Sequence, residues 1–145
     1  MKKFLALLAL GIGIGVGAGG AHAQKVADLG MAGLDPKSGG APKQVVIFFH
    51  GYTQRGMAMK PLADTLAKRL PDAAFIFNDG PLSANDGKSW YVLRGEDTEN
   101  TKGAVKKLAV DTVTKVSEGL KVPHDKIVVV GFSQGGGVAF DAGSC

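Results

Sequence analysis

KIVVVGFSQGGG, residues Lys126 to Gly137, decides the fold. Four consecutive aliphatic residues, Ile127 to Val130, lead into Gly131-Phe132-Ser133-Gln134-Gly135-Gly136. A short apolar run rich in β-branched residues reads as a strand buried on both faces, as in a parallel sheet. The glycines around Ser133 permit a turn too tight for a side chain. Gly131 to Gly135 satisfies G-x-S-x-G, the elbow that lifts a serine hydroxyl above a sheet at the start of a helix. The free N–H groups and partial positive charge of that helix end favour a developing oxyanion. Ser133 is therefore a nucleophile by position.

The other strong strand signal is Gln44 to His50, QVVIFFH, apolar throughout and so central in the sheet. It ends in His50-Gly51-Tyr52-Thr53. Met59, Leu62, Ala63, Leu66 and Leu70 then fall at helical spacing, with Pro61 tolerated in the first turn. Ala73 to Asn78 is a third buried strand. The segment Val26 to Pro42 is a mixed lead-in with room for one edge strand. Asp79 to Thr101 reads as a long loop, rich in Gly, Asn, Asp and Ser, that carries Trp90-Tyr91. Trp90 either lines an acyl pocket or pins the loop to the core. Val105, Leu108, Ala109, Thr112, Val113, Val116 and Leu120 form one face of a second helix, with Lys102, Lys106, Lys107 and Lys115 on its solvated side. Pro123 ends it. Alternating helices and apolar strands predict an α/β fold, a mostly parallel sheet with helices on both faces.

Residues 1–23 read as a cleaved leader rather than part of the fold. Lys2 and Lys3 form a positive start, Phe4 to Val16 an apolar stretch, and Ala21-His22-Ala23 a cleavage site before Gln24. The expected location is outside the cytoplasm, with no stable membrane anchor after cleavage. Gly15 to Gly20 matches G-x-G-x-x-G, but neither the strand nor the crossover helix of a dinucleotide site accompanies it. Gln24 to Cys145 is one domain's length. Loss of Lys2 and Lys3 lowers the formal charge from +4 to +2, and no basic cluster points to nucleic acid. Cys145, the sole cysteine, has no partner for an internal disulfide.

Strand, His-Gly turn, helix, strand, tryptophan loop, helix and GFSQGG in this order resemble the phospholipase/carboxylesterase group of α/β-hydrolases, which includes acyl-protein thioesterases. The resemblance runs from about Val45 to Ala142. VVIFFHGYTQRG is similar to the group's strand and oxyanion loop, KIVVVGFSQGG to its nucleophile strand, and Trp90-Tyr91 with Gly95 to its W-[FY] segment. The resemblance implies Ser133 as nucleophile and the backbone N–H groups of Tyr52 and Gln134 as oxyanion donors. It implies a structural His50 and a small-molecule ester or thioester substrate, without cofactor or metal. A loop at the end of a strand beside the elbow can present such an N–H about 3 Å from the oxyanion.

A hydrolase of this kind carries its acid and its histidine after the serine. Twelve residues follow Ser133, with one acid, Asp141, and no histidine. His124 precedes the nucleophile strand, at the end opposite the elbow. The expectation is an N-terminal part of an α/β-hydrolase domain spanning 24–145, truncated and inactive as it stands. Its elbow strand would be a bare apolar edge. A C-terminal fragment complementing it, or a non-catalytic remnant that only binds, are the alternatives.

Overall fold

The computed structural model describes residues 23–144, so the expected leader lies outside the described residues except for Ala23. The sheet is built on Gln44–Phe49 (β2), whose last five residues are buried. On one side β2 pairs in parallel with Ala73–Asn78 (β3), and on the other with Ile127–Gly131 (β6). Ala32–Leu34 (β1) pairs antiparallel with β3, giving the order β1-β3-β2-β6. The mostly parallel sheet expected from the apolar runs is present, and the edge strand of the lead-in is β1.

Alternation across the strands sorts their side chains onto two helical layers. Val45, Ile47, Phe49, Ala74 and Ile76 pack with Val105, Ala109, Val116 and Leu120 of Thr98–Leu120 (α2). Val138, Ala139 and Ala142 of Gln134–Gly143 (α3) close the same cluster. The opposite set, Val46, Phe48, Phe75 and Phe77, packs on Met59, Ala63 and Ala67, around Lys60–Leu66 (α1). Phe48 stacks on Phe75 and Phe77 at centroid distances of 6.3 and 5.8 Å. Full burial of a Val, Ile or Phe side chain contributes about 1.5–3 kcal/mol, so β2 anchors both layers.

Three sequence expectations are corrected. The first helix is shorter than Met59 to Leu70, because a 3-10 turn, Gly56–Met59, precedes it and single turns follow it. Its buried stripe runs through Met59, Ala63 and Ala67, leaving Leu62 exposed. On α2, Leu108 is likewise exposed, since the helix touches the sheet along the narrower line Val105, Ala109, Val116 and Leu120. The segment from Asp79 is not an irregular loop throughout: Leu82–Ala84 (β4) and Gly87–Ser89 (β5) form a hairpin across Asn85-Asp86, and α2 begins at Thr98. Asn85 takes the left-handed conformation, φ 51°, that a two-residue hairpin turn requires.

The elbow strand departs from a doubly buried strand in the way its position dictates. Among the described residues only β2 pairs with β6, which makes β6 an edge of this sheet, and Val128 is 53% exposed. Of its side chains on the face of Val46 and Phe48, Val130 still packs against the α1 layer, whereas Val128 extends past it. No helix among the described residues is long and apolar enough to cross a membrane.

Candidate active site

Ser133 stands between the end of β6 and the first turn of α3, with φ 51° and ψ −118°. A non-glycine residue adopts this region only where surrounding structure enforces it, at a cost of about 1–3 kcal/mol. The enforcement comes from its two glycines. A Cβ on Gly131 would lie 2.0 Å from the Gly135 carbonyl oxygen, and one on Gly135 would lie 2.1 Å from that of Phe49. The Phe132 N–H also donates to Phe49 O at 3.0 Å. Backbone therefore meets backbone across the elbow, and Ser133 is left exposed at the helix N-terminus.

The turn after β2 lies against the same point. A Cβ on Gly135 would stand 2.5 Å from His50 O, and one on Gly51 2.9 Å from the Phe132 ring. The N–H of Tyr52 has no acceptor among the described residues. Nor has that of Gln134, the first residue of α3, where no intrahelical acceptor exists. Two amide N–H groups without an acceptor among the described residues therefore lie on the adjoining elements, one on the turn after β2 and one at the start of α3.

His50 is fully buried and committed at both ring nitrogens. The Gly80 N–H reaches Nε2 at 2.9 Å, and Nδ1 lies 2.7 Å from Gly51 O. An amide N–H only donates, so Nε2 is the bare nitrogen and Nδ1–H donates to the Gly51 carbonyl. His50 cannot accept a proton at Nε2 without giving up Gly80. His124 sits in a 3-10 turn at the start of β6. The five residues of β6, about 16 Å long at ~3.3 Å per residue, lie between it and the elbow. Neither histidine of the described residues is placed to act as base for Ser133.

Trp90 is 1% exposed and lies edge-on to Phe49, with ring centroids 5.2 Å apart. Its indole Nε1–H donates to His50 O at 2.8 Å. This is the geometry of a pin. An open cleft of about 460 Å³ runs beside it, bounded by Tyr52, Leu82, Tyr91, Leu93 and Arg94, without the Trp90 ring in its wall. The role of the Gln134 side chain was not legible in the motif. It is 6% exposed, accepts from Trp90 N at 2.9 Å, and donates to Tyr91 O at 2.8 Å and Ser89 Oγ at 3.0 Å. No spacing rule pairs residue 134 with residues 89–91, but Asn85-Asp86-Gly87 was a hairpin signal that would have put a rigid element there.

The family model described as phospholipase/carboxylesterase matches residues 36–144, three quarters of the sequence and both elements that flank Ser133. The chain belongs to this family. Among phospholipase/carboxylesterase relatives, acyl-protein thioesterase 1 of Mycosarcoma maydis is 28% identical over 131 residues, covering 76% of this chain and 55% of the relative. The Yarrowia lipolytica acyl-protein thioesterase 1 is 33% identical over 113 residues, covering 68% and 49%. Of solved structures, esterase PE8 superposes with a TM-score of 0.65 at 24% identity, covering 78% of this chain and 56% of that one. Zea mays acyl-protein thioesterase 2 gives 0.57 at 25% identity, covering 79% and 51%. The fold is that of the α/β-hydrolase esterases. The chain spans about half the length of the relatives it matches.

Proposed function

We propose that Ser133 is the nucleophile of a carboxylesterase or acyl thioesterase, with the Tyr52 and Gln134 N–H groups as its oxyanion hole. The single observation that supports this is the enforced, exposed backbone of Ser133, with the acceptor-free N–H groups of Tyr52 and Gln134 on the two elements that adjoin it. Ser133 Oγ would add to the carbonyl carbon of an ester or thioester, and the carbonyl oxygen would take the negative charge toward both donors. Collapse would expel the alcohol or thiol, and water would then release the acid from the acyl-serine. No step calls for an organic cofactor or a metal. The cleft beside Tyr52 is where the substrate's acyl or alcohol portion would lie.

The proton is the missing part. With His50 committed and His124 remote, the base of the complete enzyme would be a histidine outside the described residues, paired with its own acid and carried on the same or a complementing polypeptide. For the 145-residue chain alone we propose little turnover: without a base Ser133 attacks only slowly. The ~10³–10⁴-fold over water that an oxyanion hole and binding give by themselves does not depend on the serine, so only the part of the rate lost with its hydroxyl belongs to Ser133. The same two histidine placements support a second reading, a binding module of hydrolase ancestry that retains the cleft without turnover. Hydrolysis of p-nitrophenyl butyrate by the chain and by Ser133→Ala separates the two. Slow hydrolysis lost with the hydroxyl is the expected result. Equal rates in the two proteins would leave only the binding reading, and a kcat of about 10 s⁻¹, the enzyme median, would refute the weak-turnover proposal. The Lys2-Lys3 start and Ala21-His22-Ala23 support export, for which a mature N-terminus at Gln24 is the check.

A further inference from the structure

The buried polar side chains among the described residues are His50, Ser89 and Gln134, and all three belong to one connected network. Burying polar groups is costly unless each is hydrogen-bonded, so a core that keeps three of them together keeps them for a geometric reason. The network centres on Gly87 to Tyr91, the strand β5 and the two residues after it.

One edge of this segment grips the turn that carries Tyr52. The Lys88 carbonyl accepts from Thr53 N at 2.9 Å, and Lys88 N donates to Gln54 O at 2.8 Å. Thr53, the neighbour of Tyr52, is held at φ 63°, in the left-handed region. A Cβ on Gly87 would fall 1.9 Å from Thr53 O, so strand and turn are in backbone contact. Two residues on, the Trp90 indole holds His50 O, and His50 Nε2 in turn holds Gly80 N. The other edge grips α3 through the Gln134 side chain, which accepts from Trp90 N and donates to Ser89 Oγ and Tyr91 O.

We infer that Gly87 to Tyr91 is a strut that sets the spacing between the Tyr52 and Gln134 N–H groups, with the Gln134 side chain as the positioning residue that ties it to the elbow. Gln134 thus has two separable roles: its backbone N–H faces the oxyanion, and its side chain fixes where that N–H stands relative to Tyr52. The inference rests on the nucleophile reading for its catalytic consequence, but not for the strut itself. An error of about 1 Å in such a constellation is enough for a ~10²-fold loss of rate.

The test uses the full 145-residue chain with Gln134→Ala, which keeps the backbone N–H, and Gln134→Glu, which keeps an acceptor for Trp90 N but loses both donated bonds. Val105→Ala, a core truncation on α2, serves as the destabilised control. For p-nitrophenyl butyrate the expected result is a kcat lowered about 10–100-fold in Gln134→Ala with KM within about twofold, a loss at least as large in Gln134→Glu, which sets a buried carboxylate oxygen against the Tyr91 carbonyl, and kcat in Val105→Ala within about twofold of the parent. Amide hydrogen exchange reads the strut without any chemistry. Thr53 and Gly80 N–H should exchange at least about tenfold faster in Gln134→Ala while β3 amides hold, and the control should show no such local change. Unchanged exchange at Thr53 and Gly80 would overturn the strut. If the parent hydrolyses no faster than Ser133→Ala, the nucleophile reading fails, and the exchange result alone decides the inference.

Discussion

Two adjacent glycines in the first turn of α3 should respond to the same substitution with opposite sign. A Cβ on Gly135 would meet Phe49 O at 2.1 Å and His50 O at 2.5 Å, both backbone atoms that cannot swing aside. Restoring a 3.0 Å approach requires the helix to retreat by about 0.9 Å. That retreat would stretch the Phe132 N–H to Phe49 O bond from 3.0 Å to about 3.9 Å, beyond hydrogen-bonding range. Overpacking costs about 1–3 kcal/mol and the lost bond about 1, while Ala in place of helical Gly returns about 0.5–1. The net for Gly135→Ala is a loss of about 1–3 kcal/mol, or roughly 4–12 °C in Tm for a domain of this size. A Cβ on Gly136 finds its nearest neighbour, Gly131 O, at an ordinary 3.7 Å. Gly136→Ala should therefore gain about 0.5–1 kcal/mol and raise Tm by roughly 2–4 °C. Calorimetry or circular dichroism on the two variants is sufficient. Tm shifts of the same sign and size would refute the backbone contact between the elbow and the end of β2.

Three further outcomes follow from the same structure. Ser133→Gly removes the strain of φ 51° and should raise the unfolding free energy by about 1 kcal/mol, whereas Ser133→Ala keeps the strain; urea unfolding in which Ala equals Gly would contradict it. Val128→Lys places a charge on the open β6 edge at a half-exposed position, so light scattering should show less self-association with stability within about 0.5 kcal/mol. Lys43, bonded to Asp72 at 2.6 Å, lowers the Asp72 carboxyl below the ordinary aspartate value, with Ser38 assisting. That carboxylate stabilises the fold above the ordinary value and loses its contribution as pH falls through its lowered one, so Lys43→Gln should move the NMR titration of Asp72 upward.

Much of the sheet was legible because its strands are short apolar runs whose burial on two faces leaves no other interpretation. Ala73 to Asn78 is a strand over the expected residues, and Gln44 to His50 differs by its last residue. The helices were legible in existence but not in facing. Leu62 and Leu108 belong to apolar patterns that the sheet is too narrow to cover, and periodicity alone carries no information about the width of the layer beneath. At the site, the position of Ser133 was readable because part of what G-x-S-x-G encodes is local, the close approach of Gly131 to the Gly135 carbonyl, although the contact of Gly135 with Phe49 and His50 is not. The Gln134 side chain was not, because its partners lie more than forty residues away and no local rule links them. His50 falls between the two: its place beside the elbow follows from the strand, but its commitment to Gly80 depends on where a distant loop returns.

The order of strands also has a kinetic consequence. β2 meets β3 across 29 residues, Val46 with Phe75, and meets β6 across 82, Val45 with Ile127. Closing the longer connection costs more chain entropy and, as a long-range parallel pairing, is intrinsically slow. The β2–β3 pair with α1 is therefore expected to form first, with β6 joining a hub already in place. Ser133 would acquire its strained backbone only in that last step, when Gly135 closes on Phe49. Until then one side of β2 stays open to other chains, so the yield of folded protein should fall with concentration during refolding. Pulse-labelled hydrogen exchange that protects Val129 as early as Ile76 would reverse this order.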